Sequence, residues 1–165
     1  MPVDFGRAAE DYSRYRVGFP ETFYERLRVR GMGLPGQVGI DLGTGSGTVA
    51  RHLALGGCRV LGLDVSLPLI RQAIALDQAE GARVIYYVGC AEETGLPGEF
   101  ADLVCAAQCW HWFNRQLAAQ EAKRILKPGG WMVIAHFDWL PLHGNVVEAT
   151  EALILAHNPG WNLGG

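Results

Sequence analysis

Two acids and three glycines carry the first chemical signal in this chain. Asp41 stands two places before Gly43, Gly45 and Gly47 follow at alternate positions, and Asp64 comes 21 positions after Gly43. Glycines let a backbone approach a ligand closely, and the N–H groups opening a helix can receive electronegative atoms. Val38-Gly39-Ile40 leads into the turn as an apolar run suited to a buried parallel strand. Val49-Ala50-Arg51-His52-Leu53-Ala54 leaves it with a helical pattern. Strand, glycine turn and helix is the layout of a nucleotide site.

The spacing narrows the kind of nucleotide. A dinucleotide fingerprint reads G-x-G-x-x-G. Here the third glycine comes one residue early, and Thr48 stands where the fingerprint wants its last glycine. Asp41 would oppose a pyrophosphate and would suit a ligand with a cationic end, such as the ammonium of an amino acid. Asp64 closes the run Leu61-Gly62-Leu63-Asp64 near the offset at which an acid accepts from ribose hydroxyls. Read alone, it equally suits an acid favouring the dipole of the helix that follows. An NAD-dependent oxidoreductase and a purely structural turn are the rival readings of the glycines, and Thr48 and Asp41 disfavour the first.

The D-L-G-T-G-S-G turn followed by a second strand ending in an acid resembles the class I S-adenosylmethionine-dependent methyltransferases. That resemblance implies a cofactor site built from Asp41, Gly43, Thr44, Gly45, Gly47, Asp64 and Val65. It also places the loop Gly89-Cys90-Ala91-Glu92 around an adenine ring, with Ala91 and Glu92 as contacts. Cys90 stands where the family often has Asp, and a thiol is a poor donor and acceptor, so an adenine contact falls to backbone or to Glu92. Gln108 offers both donor and acceptor to the methionine part of the cofactor.

Ala106-Ala107-Gln108-Cys109-Trp110-His111-Trp112-Phe113 resembles a bacterial branch of that family, small-molecule or uncharacterised methyltransferases. Aromatic side chains at such a mouth exclude water, and their faces receive a sulfonium or methyl cation. Trp110, His111 and Trp112 are the candidate acceptor-pocket residues, with His111 as general base or as neutral hydrogen-bonder. Phe113 reads better as a packing anchor. Tyr12, Tyr15 and Arg16 look like the N-terminal cover this branch folds over the cofactor, Tyr12 toward the acceptor, although tyrosines on one helix face are also ordinary core anchors. His136 and Asp138 would face the acceptor side, or plain solvent. No nucleophile or metal constellation is required, because methyl transfer asks for proximity and alignment.

These positions demand alternating strands and helices. The expected order is helices over 4–16 and 20–30, a strand from Val38 with Asp41 at its end, a helix over 47–55 stopped by Gly56-Gly57, and a strand over 59–64. Ser66 is the expected cap of the next helix, with Pro68 in its first turn. Strands over 83–89 and 101–107 follow, then a helix over 115–126 ended by Pro128-Gly129-Gly130, a strand over 131–137 and a helix over 145–157. Alternation with right-handed crossovers gives a doubly wound α/β, Rossmann-like, mostly parallel sheet. The strand order 3-2-1-4-5 comes from the resemblance, which also expects two further strands and so reads the chain as ending early. The domains expected are a helical cover over 1–35, an S-adenosylmethionine-binding core over 36–140 and the start of a helical insertion over 141–165.

Composition sets the outer bounds. The chain has 165 residues, 49% hydrophobic and 19% charged, enough for one packed core. A formal charge of −3 argues against electrostatic capture of nucleic acid. No apolar run is long enough to span a bilayer, and four cysteines without a C-x-x-C pair suit a reducing, cytoplasmic compartment. Cofactor S-adenosylmethionine, a small-molecule acceptor, no metal, no nucleic acid and no membrane complete the expectation. A non-catalytic S-adenosylmethionine-binding module is the alternative of another class. Strand five lacks charge and proline over Trp131–Phe137, so its edge should either be covered by the helix from Asn145 or pair with another chain, and self-association through it is the expectation.

Overall fold

The computed structural model describes residues 18–137 and 140–161. The helix expected over 4–16, with Tyr12, Tyr15 and Arg16, lies outside the described residues, as does Asp138. The chain divides into two compact units between Ala135 and His136.

The first unit is a five-stranded sheet in the order β3-β2-β1-β4-β5, every neighbouring pair parallel. Its strands are β1 (Val38–Leu42), β2 (Arg59–Asp64), β3 (Val84–Val88), β4 (Ala101–Ala107) and β5 (Leu126–Ala135). Its helices are α1 (Glu21–Val29), α2 (Thr48–Leu55), α3 (Leu67–Glu80) and α4 (Arg115–Ile125). Every residue of β1 is buried, as its near-continuous apolar run requires of a central parallel strand. One apolar cluster joins Ile40, Leu42, Leu63 and Val104 to Ala118, Ala122 and Ile125 of α4. A second joins Tyr24 and Leu27 of α1 and Val49 and Leu53 of α2 to Val60, Leu103 and Cys105. Helices therefore cover the sheet through two separate cores, the doubly wound arrangement.

Local stops follow the punctuation in the sequence. Gly57, at φ 95°, turns the chain out of α2, and Gly81, at φ 74°, turns it out of α3. Asn114 accepts from the Leu117 N–H and caps α4. The loop after β3 is clamped to α4 by Glu121, which accepts from the Thr94 N–H at 2.9 Å and from the Thr94 hydroxyl at 2.5 Å. Arg124 beside Glu121 holds that carboxyl down at about 2.

Two local expectations need correction. Ser66 occupies the cap position of α3, yet its side chain makes no capping hydrogen bond; instead its N–H donates to Asp64 Oδ1 at 2.8 Å. Strand five does not begin at Trp131. The chain leaves α4 at Leu126 in extended conformation and at once pairs Leu126 with Ala101. The ladder then shifts register, and Trp131 resumes it opposite Leu103. Lys127-Pro128-Gly129-Gly130 is thus an irregularity inside β5, where proline and glycine are tolerated.

In the second unit α5 (Val146–His157) opens with Asn145 accepting from the Glu148 N–H, while Glu148 accepts from the Gly144 N–H. None of its residues is buried.

Candidate functional site

Parallel register brings the chemistry to one edge. Leu42 of β1 stands opposite Leu63 of β2 and Ala106 of β4. The residues that follow, Gly43, Asp64 and Ala107, therefore stand at one level at the carboxyl end of the sheet. Strand order reverses between β1 and β4, the switch point at which open α/β sheets hold ligands.

The glycine turn has the backbone only glycine adopts readily. Gly43, Gly45 and Gly47 have φ of 62°, 56° and 79°. A Cβ at Gly43 would lie 2.9 Å from Cys109 Sγ and 3.1 Å from Phe113 Cζ. The turn is stitched to β2: Thr44 N–H donates to Leu63 O at 2.9 Å and Gly45 N–H donates to Asp64 Oδ2 at 2.9 Å. With Ser66 N–H on its other oxygen, Asp64 is held in one orientation at the mouth. Each oxygen keeps a lone pair for a hydroxyl donor.

Asp41 lies one layer deeper. It is 2% exposed and accepts from the Thr44 hydroxyl at 2.7 Å. Burial pushes its carboxyl up to about 7, against the lowering effect of Thr44. The structure thus buries Asp41 with the Thr44 hydroxyl of the turn as its hydrogen-bond donor.

The loop after β3 plays a more structural part than its sequence suggests. Ala91 belongs to the apolar core. Glu92 Oε1 accepts from the Asn114 N–H at 2.7 Å and so braces the start of α4. Cys90 is exposed and pairs with Glu93 in an isolated bridge. Val65 is exposed beside Asp64.

Beyond β4 the chain turns sharply. Gln108 takes a φ of 62°, a left-handed conformation uncommon outside glycine, while its N–H donates to Ala135 O at 2.9 Å. Trp110–Trp112 form one 3-10 turn. Trp110 and Phe113 meet edge to face at 5.9 Å and pack on the core. His111 and Trp112 are exposed, their rings 4.8 Å apart. Cys109 is buried, donates to Leu42 O at 3.0 Å, and has its thiol pushed up by burial, so it stays a neutral packing group. His136 is exposed and follows Ala135, the partner of Ala107.

Sequence reasoning missed three supports of this site. Tyr86 stands opposite Gly62 in the β2–β3 ladder. A Cβ at Gly62 would lie 2.7 Å from the Tyr86 ring and 2.9 Å from Thr44 Oγ1, and one at Gly47 would meet the Tyr86 hydroxyl. The lone glycine inside strand two was the available signal. Cys109 above Gly43 is the second support, and the Arg51–Asp77 pair beside Ser46 is the third. At the N-terminal side, a Cβ at Gly18 would lie 2.7 Å from Thr48 Cγ2, so the described chain begins close to the turn. Among the described residues no three His, Cys, Asp or Glu side chains cluster to hold a metal, and no helix is long and apolar enough to cross a membrane.

Comparison with known proteins agrees with this architecture. A family model described as a methyltransferase domain matches residues 40–134, from within β1 to within β5. An uncharacterized methyltransferase of Mycobacterium bovis is 31% identical over 132 residues, 79% of this chain and 50% of its own length. A malonyl-[acyl-carrier protein] O-methyltransferase of Pseudescherichia vulneris is 31% identical over 127 residues, 76% of this chain and 49% of its own. The crystal structure of an S-adenosylmethionine-dependent methyltransferase from Mesorhizobium loti superposes with a TM-score of 0.57 at 26% identity, over 67% of this chain and 51% of that one. The chain spans about half the length of the curated relatives it matches. With β1 to β5 in this order and the family model spanning all of them, the chain belongs to the class I S-adenosylmethionine-dependent methyltransferase family.

Proposed function

We propose that this chain binds S-adenosylmethionine across the carboxyl ends of β1, β2 and β4 and forms the core of a methyltransferase for a small-molecule acceptor. The observation that carries the reading is Asp64, oriented by Gly45 and Ser66 beside a turn of three left-handed glycines. That cradle leaves no room for a side chain at Gly43 or Gly47 and presents a carboxylate at the level where a ribose would lie.

In this reading Asp64 accepts from the ribose hydroxyls, and the turn from Gly43 to Gly47, with Thr44 bonded to the buried Asp41, receives the amino-acid end. Val65, Glu92 and the Ala91 backbone border the adenine side, and Gln108 borders the methionine side. The cofactor supplies a methyl group already activated by sulfonium charge, so the protein's part is alignment and exclusion of water. Trp110 and Trp112 line the acceptor side, and His111 takes the acceptor's proton where the acceptor is an O–H or N–H group. A relative named as an O-methyltransferase supports that class of acceptor.

Titration with S-adenosylhomocysteine and with NAD tests the cofactor. Micromolar affinity for the first and none for the second is expected, and the reverse would sink the reading. Turnover over a panel of small acceptors tests the activity; binding with no transfer in the full-length protein would make the chain a non-catalytic cofactor-binding module. His111→Ala should lower kcat by about 10²-fold with cofactor affinity retained. An unchanged rate would remove His111 from the acceptor side.

A further inference from the structure

Behind the glycine turn lies a buried ion pair that the methyl-transfer reading does not use. Arg51 of α2 and Asp77 of α3 are both buried, and Arg51 Nε donates to Asp77 Oδ1 at 2.8 Å. Glu80 adds a longer contact at 3.6 Å. The second arm of the guanidinium, Nη2, donates to the backbone carbonyl of Ser46 at 2.8 Å. A buried ion pair is seldom the most stabilising way to fill such a space, and apolar residues of like volume often do better. What this pair adds is direction: a fixed donor aimed at one peptide group of the turn.

That peptide group is the one most in need of it. The peptide joining Ser46 to Gly47 leads into a left-handed glycine, with φ of 79° at Gly47. Glycine populates both signs of φ at little cost, so this peptide can reverse its carbonyl and N–H through ψ of Ser46 and φ of Gly47. Here both ends are tied. The Ser46 carbonyl accepts from Arg51, and the Gly47 N–H donates to Thr44 O at 2.9 Å. Two peptides back along the turn, Gly45 N–H holds Asp64. Asp77 in turn fixes Arg51, because a guanidinium bonded to a carboxylate keeps its plane.

We propose that Arg51, oriented by Asp77, is a positioning residue that locks the Ser46–Gly47 peptide and so holds the glycine turn and Asp64 in cofactor-binding geometry. The proposal rests on the S-adenosylmethionine reading of the turn for its functional consequence. The locking itself is a property of the ligand-free protein.

The test uses the full chain with Arg51→Lys, which keeps the charge but loses the fork, and Asp77→Asn, which keeps the shape but loses the charge. Calorimetric titration with S-adenosylhomocysteine, well below the unfolding temperature, should show each variant about tenfold weaker than wild type, with the double variant little worse than either single one. Amide exchange in the ligand-free protein should be faster at Gly47 while Ile40 in β1 is unchanged, which a general loss of stability would not produce. Folded variants that bind as wild type does overturn the proposal. So does the unfolding of both conservative variants, which would assign the pair to fold stability. A wild-type protein that fails to bind S-adenosylhomocysteine would instead overturn the cofactor reading, and Gly47 exchange would then decide the locking alone: faster in the variants supports it, unchanged overturns it.

Discussion

At the scale of single residues, two acids that close neighbouring strands are given opposite tasks by their surroundings. Asp64 is held at the mouth by two backbone donors, whereas Asp41 is buried with the Thr44 hydroxyl as its donor. Replacing Asp64 with Ala should cost roughly 1.5–3 kcal/mol of S-adenosylhomocysteine binding, or about ten- to over a hundredfold. Because the Ala variant also frees the Gly45 and Ser66 N–H groups, Asp64→Asn is the sharper probe. Unchanged affinity in a folded Asn variant by titration would take Asp64 out of the site. Asp41 should show itself in stability instead. Its carboxyl is raised by burial from 3.8 to about 7, so the folded state holds this proton more tightly than the unfolded chain does. Its contribution is therefore full below about pH 4 and falls as pH rises toward 7 and above. Asp41→Asn should remove that loss, on the order of a few kcal/mol, and urea unfolding at pH 5 and pH 8 would show it. Equal pH slopes for wild type and variant would count against a buried, raised Asp41.

At the scale of elements, the site depends on how β3 leans on β2 and on the turn. The Tyr86 ring crosses Gly62 on the neighbouring strand and reaches Gly47. Gly62→Ala would force that ring aside, and overpacking of this kind costs about 1–3 kcal/mol. Adding Tyr86→Leu should recover part of the loss, because the smaller side chain gives way. The two changes should thus be non-additive in thermal unfolding. A Gly62→Ala protein as stable as wild type would show that the strand tolerates a side chain there. The same packing explains why the helical punctuation was readable and the strand glycine was not. Gly57 and Gly81 act through their own φ, a local property. Gly62 acts through a residue 24 positions away.

At the scale of the whole molecule, β5 is one of the two edge strands of the sheet, β3 being the other. Among the described residues it pairs only with β4, and none of its residues is fully buried. Trp131 is 49% exposed and Ile134 is 45% exposed on it. An apolar edge with open backbone donors and acceptors invites strand addition. The first unit should therefore self-associate through β5, and light scattering over a wide concentration range would report it. Trp131→Lys with Ile134→Lys should return the protein to monomer. A wild type that stays monomeric at high concentration would count against this surface.

The order of strands and helices, the glycine turn and the acid after strand two were legible in the sequence, because each is written in local terms: apolar period, φ preference and spacing along one chain. Even the N-terminal end of α3 misled in detail, since Ser66 looked like a cap by residue type while its N–H was claimed by Asp64. The start of β5 misled for a similar reason. Pro128-Gly129-Gly130 marks an interruption, but whether it separates helix from strand or bulges within a strand depends on β4, which pairs with Leu126 before the interruption and Trp131 after it. Asp41 and Asp64 looked alike as residues. Only packing made one a buried acid whose carboxyl is pushed up and the other a half-buried carboxyl oriented by two backbone donors, because desolvation is set by neighbours far away in the chain. The Arg51–Asp77 pair belongs to the same class: 26 residues apart and on different helices, the two meet only when α2 and α3 pack beside the turn they hold.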